Sequence, residues 1–206
     1  MMFLNCKIDL SKWNFLPRPE TEFWVKKSIK KLKRTDIGCL HVLDIFAGTG
    51  CIGIAVLKNI KNSRMDFVDI DKKAIEQIKI NLKLNKISSD RCKIYRSDIF
   101  KKLKNKKYNY IFANPPYVAM ERKNEVQPSV LKYEPHGALF SGKRGLDIIK
   151  KFLTRAKDYL ADGGVIYMEF DPQQVGSIKD IMKKEGHKKY KFYKDQFKRY
   201  RFVKIY

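Results

Sequence analysis

The chain has 206 residues, which is the size of one globular domain and long enough to bury a core without disulfides or metals. Its 45 Lys and Arg outnumber its 22 Asp and Glu, so the formal net charge is +23. No apolar run approaches the roughly 20 residues that a membrane span needs, and no basic leader followed by an apolar stretch opens the sequence. The composition argues against a membrane or secreted protein, and we expect a soluble, cytoplasmic domain with no membrane partner.

The net charge has two interpretations. Clustered Lys and Arg gain affinity for nucleic acid by releasing counterions from its phosphates, so a basic surface on this chain would suit a ribosome or RNA contact. However, only ten of the basic residues are Arg, and Lys recurs in nearly every helical segment instead of forming one block. A general compositional preference for Lys also explains that pattern, and the sequence leaves both interpretations open.

Cysteine and histidine give no sign of a metal site. The four cysteines are scattered without a C-x-x-C pair, which predicts reduced thiols, and three of them lie in or beside apolar runs where a free thiol packs as a small apolar side chain. The histidines have no neighbours that would make them ligands. We expect no catalytic metal, and structural or solvent-facing roles for His41, His136 and His187.

Apolar runs of strand length alternate with amphipathic helical segments, which is typical of an α/β sheet with helices on both faces. The predicted strands are residues 39–46, 66–70, 92–96, 108–113 and 165–170, followed by a closing hairpin of residues 188–193 and 199–206. The predicted helices are residues 51–58, 72–85, 146–160 and 175–184. The least regular stretch, residues 118–144, is predicted to be a long active-site loop with room for one short helical turn.

A glycine-containing turn follows the first predicted strand. In an open α/β sheet, ligands bind beyond the carboxyl ends of the strands, and glycine lets a ligand approach the backbone closely. The turn lacks both the G-x-G-x-x-G of nicotinamide enzymes and the G-K-[ST] of a phosphate loop, so we favour S-adenosylmethionine, whose nucleoside carries an amino acid and no phosphates. The turn residues predicted to contact it are Phe46, Ala47, Gly48, Thr49 and Gly50.

Two acidic residues after later strands extend this predicted cofactor site. Asp69 ends the second strand, where its carboxylate can accept both ribose hydroxyls of an adenosine, although a strand-end cap is the alternative role. Asp98 follows the third strand and can accept from the exocyclic adenine amine while Ile99 packs on the base. Asp98 could instead be the N-cap of a helix.

The most informative element is Asn114-Pro115-Pro116-Tyr117, directly after the fourth predicted strand. Two consecutive prolines fix the backbone and leave their carbonyls free as acceptors. An amide or aromatic amine is a poor nucleophile, because its lone pair is delocalised, and two acceptors on its N–H groups hold it in line for methyl transfer. We predict that the Asn114 side-chain oxygen and the Pro115 carbonyl are these acceptors, that the four residues bind the acceptor group, and that Tyr117 packs on its planar face.

With these motifs, the chain resembles the protein-(glutamine-N(5)) methyltransferases that modify peptide chain release factors. Residues 16–22, Leu-Pro-Arg-Pro-Glu-Thr-Glu, are similar to the family's R-P-x-T-E signature. Tyr133-Glu134-Pro135, Ala138-Leu139, Gly142 and Gly145-Leu146-Asp147 are similar to its E-P-x-x-A-L and G-x-x-G-L segments. The resemblance divides the chain into a short N-terminal segment, residues 1–15, and a methyltransferase domain, residues 16–206, without the N-terminal helical domain of bacterial members.

The resemblance implies a fold, an S-adenosylmethionine site that Asn114 also contacts, and an acceptor. The fold would be the Rossmann-like class I S-adenosylmethionine-dependent methyltransferase fold, a seven-stranded, mostly parallel sheet with a C-terminal antiparallel hairpin. The acceptor would be the side-chain amide N(5) of the glutamine in the Gly-Gly-Gln loop of a class I peptide chain release factor. The family usually has Gly at the position of Phe46, and a D-x-F-A-G-T-G turn also resembles guanine-N(2) ribosomal RNA methyltransferases. An exocyclic amine of adenine or guanine in RNA or DNA therefore remains the alternative acceptor.

Overall fold

A computed structural model of the chain describes residues 1–35 and 38–206. Its main sheet has seven strands in the order β5-β4-β3-β6-β7-β9-β8. All neighbours pair in parallel except β7 with β9 and β8 with β9, which pair antiparallel. The mostly parallel sheet and its C-terminal hairpin confirm the predicted fold class. The strands are β3 (Leu40–Ile45), β4 (Ser63–Asp69), β5 (Cys92–Arg96), β6 (Tyr108–Ala113), β7 (Leu160–Glu169), β8 (Tyr190–Lys194) and β9 (Tyr200–Ile205).

Helices cover both faces of this sheet. The larger α-helices are α1 (Pro19–Leu32), α2 (Cys51–Asn59), α3 (Lys72–Leu84), α6 (Asp147–Ala156) and α7 (Val175–Lys184). Two apolar cores result, because each face of the sheet buries its own helices. Trp24 of α1, Ile54 of α2 and Ile78 of α3 belong to one core, and Phe152 of α6 and Ile178 of α7 belong to the other.

The N-terminal residues add a small hairpin to the first core. Its strands are β1 (Met2–Phe3) and β2 (Cys6–Lys7), and Phe3 and Cys6 are buried. Amide side chains of α3 bind the backbone after the hairpin: the Asp9 N–H donates to Asn81 Oδ1 at 2.8 Å and the Lys12 N–H to Gln77 Oε1 at 2.7 Å. Residues 1–13 therefore share a core with the rest of the chain, and a domain boundary at residue 15 stays a prediction.

The structure corrects three predictions about the elements. The stretch 118–144 contains more than one helical turn, namely a 3-10 turn (Met120–Glu125), α4 (Pro128–Tyr133) and α5 (His136–Leu139). The predicted helix 146–160 ends early, and β7 begins at Leu160 instead of Val165. The first half of β7 is partly exposed and contains Gly163 and Gly164, so it has no apolar run to mark it. No element was predicted before Cys39, and α1, β1 and β2 were missed.

The predicted roles of the histidines agree with the structure, and the predicted apolar packing of the cysteines holds for Cys6 and Cys51 but not for the exposed Cys39. All four cysteines are free, with Cys6 and Cys51 buried. His41 and His136 are exposed, and the buried His187 pairs through Nε2 with the Leu153 carbonyl at 2.8 Å. Residues 1–35 and 38–206 hold no cluster of His, Cys, Asp and Glu with the arrangement of a metal site. Over the same residues, no helix combines the length and the apolar character needed to cross a membrane.

Candidate active site

The strand order places a crevice between β3 and β6. Connections from β3 run toward β4 and β5 on one side, and β6 and β7 lie on the other, so the carboxyl ends of β3 and β6 diverge there. A cavity of about 300 Å³ opens at this point. Of the predicted cofactor residues, those that line it are Phe46, Ala47, Gly48, Thr49, Asp69, Asp98, Ile99 and Asn114. The separate stretches of sequence therefore meet in one site.

The glycine turn is shaped by left-handed backbone. Gly48 has a φ of 52° and Gly50 a φ of 74°, which residues with a Cβ rarely adopt. A Cβ on Gly48 would lie 3.2 Å from the Trp13 indole nitrogen, so the turn also needs the space. Gly50 is buried and does not line the cavity; a Cβ on it would meet Ile78 at 3.2 Å. Gly50 thus shapes the turn from behind, and its predicted contact with the cofactor stays a prediction.

Asp69 ties the turn to the neighbouring strand. One carboxylate oxygen accepts from the Gly48 N–H at 2.8 Å, and the other accepts from the Asp71 N–H at 2.9 Å. Burial raises the pKa of the Asp69 carboxyl, and the two backbone N–H groups partly oppose that shift. Each oxygen keeps a lone pair for a further donor, which is the arrangement that two ribose hydroxyls require.

Two cavity residues other than glycine also have left-handed backbone. Phe46 has a φ of 62° and Ile99 a φ of 47°. The left-handed region costs a non-glycine residue roughly 1–2 kcal/mol, and packing must compensate for it. The Phe46 ring supplies such packing, since it contacts Phe152 edge-on at a centroid distance of 5.8 Å. The positive φ gives a physical reason for the glycine that the resembled family usually has here.

Asp98 follows β5 and lines the first cavity. A turn follows it and not a regular helix, so the alternative role as a helix N-cap is wrong. Its carboxylate forms an ion pair with Lys101 at 2.6 Å on the partly exposed rim. The next residue, Ile99, packs against the second apolar core. The adenine contact of these two residues stays a prediction.

Asn114, Pro115, Pro116 and Tyr117 separate two cavities. Asn114 lines the first cavity together with Pro116, and it also lines a second cavity of about 340 Å³ together with Pro115 and Tyr117. The remaining walls of the second cavity are mostly apolar and come from the segments at 15–18 and 118–139. The predicted acceptor-binding residues therefore stand at the junction of two compartments.

Tyr117 is held by a buried carboxylate. Its hydroxyl donates to Glu169 Oε1 at 3.0 Å, while the Thr21 hydroxyl and the Trp24 indole N–H donate to Glu169 Oε2 at 2.7 and 2.6 Å. Glu169 is fully buried at the end of β7. Burial raises the pKa of the Glu169 carboxyl, and burial together with Glu169 raises the pKa of the Tyr117 hydroxyl, so the tyrosine stays protonated as a donor.

Comparison with known proteins agrees with this geometry. The family model described as the methyltransferase small domain matches residues 29–133. The release factor glutamine methyltransferase of Streptococcus pneumoniae is 35% identical over 98% of this chain and 71% of its own length. The chain belongs to the release factor glutamine methyltransferase family. The relative from Thermodesulfovibrio yellowstonii is 32% identical and that from Rhodopirellula baltica 33%, and the chain spans only 65% and 63% of their lengths.

Solved structures show the same fold at low sequence identity. The hMettl16 catalytic domain, in complex with the MAT2A 3'UTR hairpin 6, aligns with a TM-score of 0.74 at 15% identity, over 98% of this chain and 76% of that chain. A ribosomal protein L11 methylase from Lactobacillus delbrueckii subsp. bulgaricus gives 0.66 at 16% identity, over 95% and 82%. At these identities the similarity establishes the fold alone.

In this member of the release factor glutamine methyltransferase family, the signatures that are distant in sequence contact one another. Arg18 of the R-P-x-T-E segment pairs with Glu134 of the E-P segment at 2.6 Å. Asn14 also donates to the Tyr133 carbonyl at 3.3 Å. The Glu134 side chain is only 7% exposed, so the pair is shielded on one side. These contacts hold the segment with α4 and α5 over the second cavity.

The two glycines of the G-x-x-G-L segment permit close packing. A Cβ on Gly145 would lie 2.1 Å from the Tyr117 carbonyl oxygen, and a Cβ on Gly142 would lie 2.0 Å from the Asp147 carboxylate. Both residues also have a φ of 72°. Gln174 closes this contact, since its side-chain NH₂ donates to the Tyr117 carbonyl at 2.9 Å and to the Gly145 carbonyl at 3.1 Å.

Sequence reasoning missed several residues of the site. Trp13 lines the first cavity and its buried indole N–H has no partner among the described residues. Asp44 is buried beneath the glycine turn and accepts from the Gly53 N–H at 2.8 Å, while its Oδ1 has no partner among them. Burial raises the pKa of Asp44 to about 8. A single charged residue within an apolar run was the available signal for Asp44 and for Glu169.

Proposed function

We propose that this chain transfers a methyl group from S-adenosylmethionine to the side-chain amide N(5) of the glutamine in the Gly-Gly-Gln loop of a class I peptide chain release factor. The observation that carries the proposal is the position of Asn114, which lines both cavities and joins a cofactor compartment to an acceptor compartment. Relatives with the matching name are similar over nearly the whole chain. A release factor as substrate also fits a cytoplasmic enzyme with four free cysteines.

The side chains that line the first cavity suit the chemical groups of S-adenosylmethionine. Its walls are mainly apolar, which suits a base, and Asp69 presents a buried carboxylate with free lone pairs at the cavity wall. Gly48 leaves room beside Trp13, whose unpartnered indole N–H faces the same turn and could donate to a ligand oxygen. S-adenosylmethionine bound here would supply an electrophilic methyl group. The residues proposed to hold it are Phe46, Ala47, Gly48, Thr49, Gly50, Asp69, Asp98, Ile99 and Asn114.

The residues at the junction would orient the acceptor nitrogen. The Asn114 side-chain oxygen and the Pro115 carbonyl would each accept one N–H of the acceptor amide, which disfavours its planar form and directs its lone pair toward the first cavity. Tyr117 would cover the planar face of the amide. The acceptor nitrogen held by these residues would take the methyl group as its bond to the cofactor sulfur breaks, which would leave S-adenosylhomocysteine, and the extra proton on the nitrogen would pass to water. Positioning and polarisation supply the catalysis, and no covalent intermediate on the chain is needed.

A nucleic-acid base amine is the second candidate acceptor, and the net charge of +23 favours it. The same two acceptors at Asn114 and Pro115 would hold an exocyclic amine, and an extruded base would stack on Tyr117. The paired Arg18 and Glu134, which belong to the two signatures of the release factor enzymes, favour the protein acceptor instead. A basic surface that contacts the ribosome or RNA while the protein is methylated would also be compatible with the charge.

Methyl transfer from labelled S-adenosylmethionine distinguishes the two acceptors. The chain is incubated with a class I release factor, with the same factor carrying Gln→Ala in its Gly-Gly-Gln loop, and with total ribosomal RNA. Label on the unmodified factor alone supports the proposal. Label on RNA alone overturns it and assigns the acceptor cavity to a base.

A further inference from the structure

The end of β7 and the segment after it contact both ends of Tyr117. Glu169, the last residue of β7, accepts from the Tyr117 hydroxyl, and Gln174, five residues later, donates to the Tyr117 carbonyl. Both side chains are buried, Glu169 completely and Gln174 to within 7% of full burial. Tyr117 is thus fixed at its backbone and at the far end of its ring by residues that do not line either cavity.

Burial of the Glu169 carboxylate costs free energy, which its surroundings must offset. An ionised carboxylate loses its hydration on burial, and only paired charges or several hydrogen bonds offset that loss. Here one oxygen accepts from Thr21 and Trp24, and the other accepts from Tyr117, with the charge of Arg201 nearby. Three donors from two segments, α1 and the stretch after β6, therefore converge on one side chain, which makes the network rigid.

We propose that Glu169 is a positioning residue that fixes the Tyr117 ring at the acceptor cavity, with Gln174 fixing the adjacent backbone. The inference rests on the proposed function in one respect only, that Tyr117 covers the acceptor. The donors to Glu169 explain why Thr21 stands in the R-P-x-T-E segment: its hydroxyl anchors the carboxylate that anchors Tyr117. Glu169 acts through Tyr117, and does not touch the acceptor itself.

Two conservative substitutions test this coupling without emptying the core. Tyr117→Phe keeps the ring and removes the hydroxyl. Glu169→Gln keeps the shape and can still accept from Thr21 and Trp24, but it replaces the charge-assisted bond to Tyr117 by a weaker neutral one. We expect kcat to fall about tenfold in Tyr117→Phe and several-fold in Glu169→Gln, because a loosened ring leaves the acceptor misplaced. The dissociation constant for S-adenosylhomocysteine, which reports on the other cavity, should stay unchanged in both.

The double substitution decides whether the two residues act as a unit. If Glu169 acts through the Tyr117 hydroxyl, Glu169→Gln causes no further loss of kcat in the Tyr117→Phe background. Losses that multiply, or a Glu169→Gln enzyme with wild-type kcat, overturn the proposal. Glu125→Gln is the matched control, since Glu125 is an exposed carboxylate that pairs with Arg122 and lines neither cavity.

A second measurement does not depend on the acceptor. With 3-fluorotyrosine at position 117, the ¹⁹F resonance should move in Glu169→Gln and stay in place in Glu125→Gln. An unmoved resonance in Glu169→Gln overturns the contact whatever the enzyme methylates. If the wild-type enzyme labels RNA and not the release factor, the proposed protein substrate is wrong. The kcat values of the two single variants and the double variant, measured on RNA, still test the role of Glu169.

Discussion

The two cavities that meet at Asn114 are built in different ways. The proposed cofactor cavity is lined largely by the short turns that follow β3, β4 and β5, and contacts within it join the backbone to a carboxylate, as when Asp69 binds the N–H groups of Gly48 and Asp71. The acceptor cavity depends on side chains from remote segments, such as Thr21 with Glu169 and Arg18 with Glu134, which are 148 and 116 residues apart. Substitutions on the cofactor side should act locally, and those on the acceptor side should act through the packing of the whole fold.

Asn114 lies at the boundary, and its substitution should have the largest effect. Asn114→Ala removes one of the two acceptors that polarise the nucleophile, so we expect kcat to fall about 10²- to 10³-fold. Isothermal titration with S-adenosylhomocysteine should show nearly unchanged affinity, because the main cofactor contacts remain. Asn59→Ala, at the far end of α2, is the control. A loss of cofactor affinity as large as the loss of rate would assign Asn114 to the cofactor side alone.

Asp69 tests the cofactor side. Asp69→Ala removes the carboxylate that would accept the ribose hydroxyls and that holds the Gly48 turn, so cofactor binding should weaken by about 1–3 kcal/mol. Turnover at saturating cofactor should fall much less. Asp180→Ala on the exposed face of α7 provides the comparison. Unchanged affinity for S-adenosylhomocysteine in Asp69→Ala would refute the ribose assignment.

Asp44 links the cofactor side to stability. Its pKa is raised from 3.8 to about 8, so the folded state binds its proton more tightly than the unfolded chain does. The stabilisation from this group is complete below pH 3.8 and is lost as pH rises through about 8. The free energy of unfolding should fall with pH in that window, with a slope of up to about 1.4 kcal/mol per unit from this group.

Asp44→Asn keeps the bond from Gly53 and cannot ionise, so urea denaturation at pH 6 and at pH 8 should show a smaller difference than in the wild type. Asp69 and Glu169 also have a raised pKa, so some slope should remain. Asp162→Asn, which replaces an exposed carboxyl, should behave like the wild type. Parallel pH profiles for Asp44→Asn and the wild type would contradict the raised pKa.

The smallest effect is expected at the ion pair over the acceptor cavity. Glu134→Gln weakens the contact with Arg18, whose side chain is 29% exposed, and a partly exposed pair contributes about 0.2–1 kcal/mol. The KM for the release factor should rise about fivefold or less, and cofactor affinity should not change. Adding Arg18→Gln to Glu134→Gln should raise this KM little further, because the ion pair is already weakened. Glu121→Gln, at an exposed carboxylate, is the control. A selective loss of cofactor affinity would place the pair on the other side of the site.

The same contrast explains what the sequence could predict. On the cofactor side, several cavity residues lie in short turns directly after apolar strands. Their positions in the sequence therefore sufficed to predict that Phe46 to Thr49, Asp69 and Ile99 line a cavity. The succession of strands and helices along the chain and the closing hairpin could be predicted from the periodicity of apolar residues. The lack of space behind Gly50, where a Cβ would meet Ile78, could not be predicted, because it depends on tertiary packing.

The acceptor side could be predicted only at Asn114 to Tyr117. The partners of Tyr117 come from α1 and from the end of β7, and no local pattern indicates which distant carboxylate meets which donor. Helix α1 did carry a signal that was missed: Trp24, Val25, Ser28 and Ile29 are buried at helical spacing after Pro19 at the first turn. Reading that helix would have shown that Thr21 faces the core.

The most direct test of the central claim is to locate the transferred methyl group by tandem mass spectrometry. A class I release factor is treated with the wild-type enzyme and, in parallel, with Asn114→Ala. The account predicts one added methyl group on the glutamine side chain of the Gly-Gly-Gln loop with the wild type, and almost none with Asn114→Ala. A methyl group on another residue, or equal methylation by the variant, would contradict the account, since the acceptor would then not be held at Asn114.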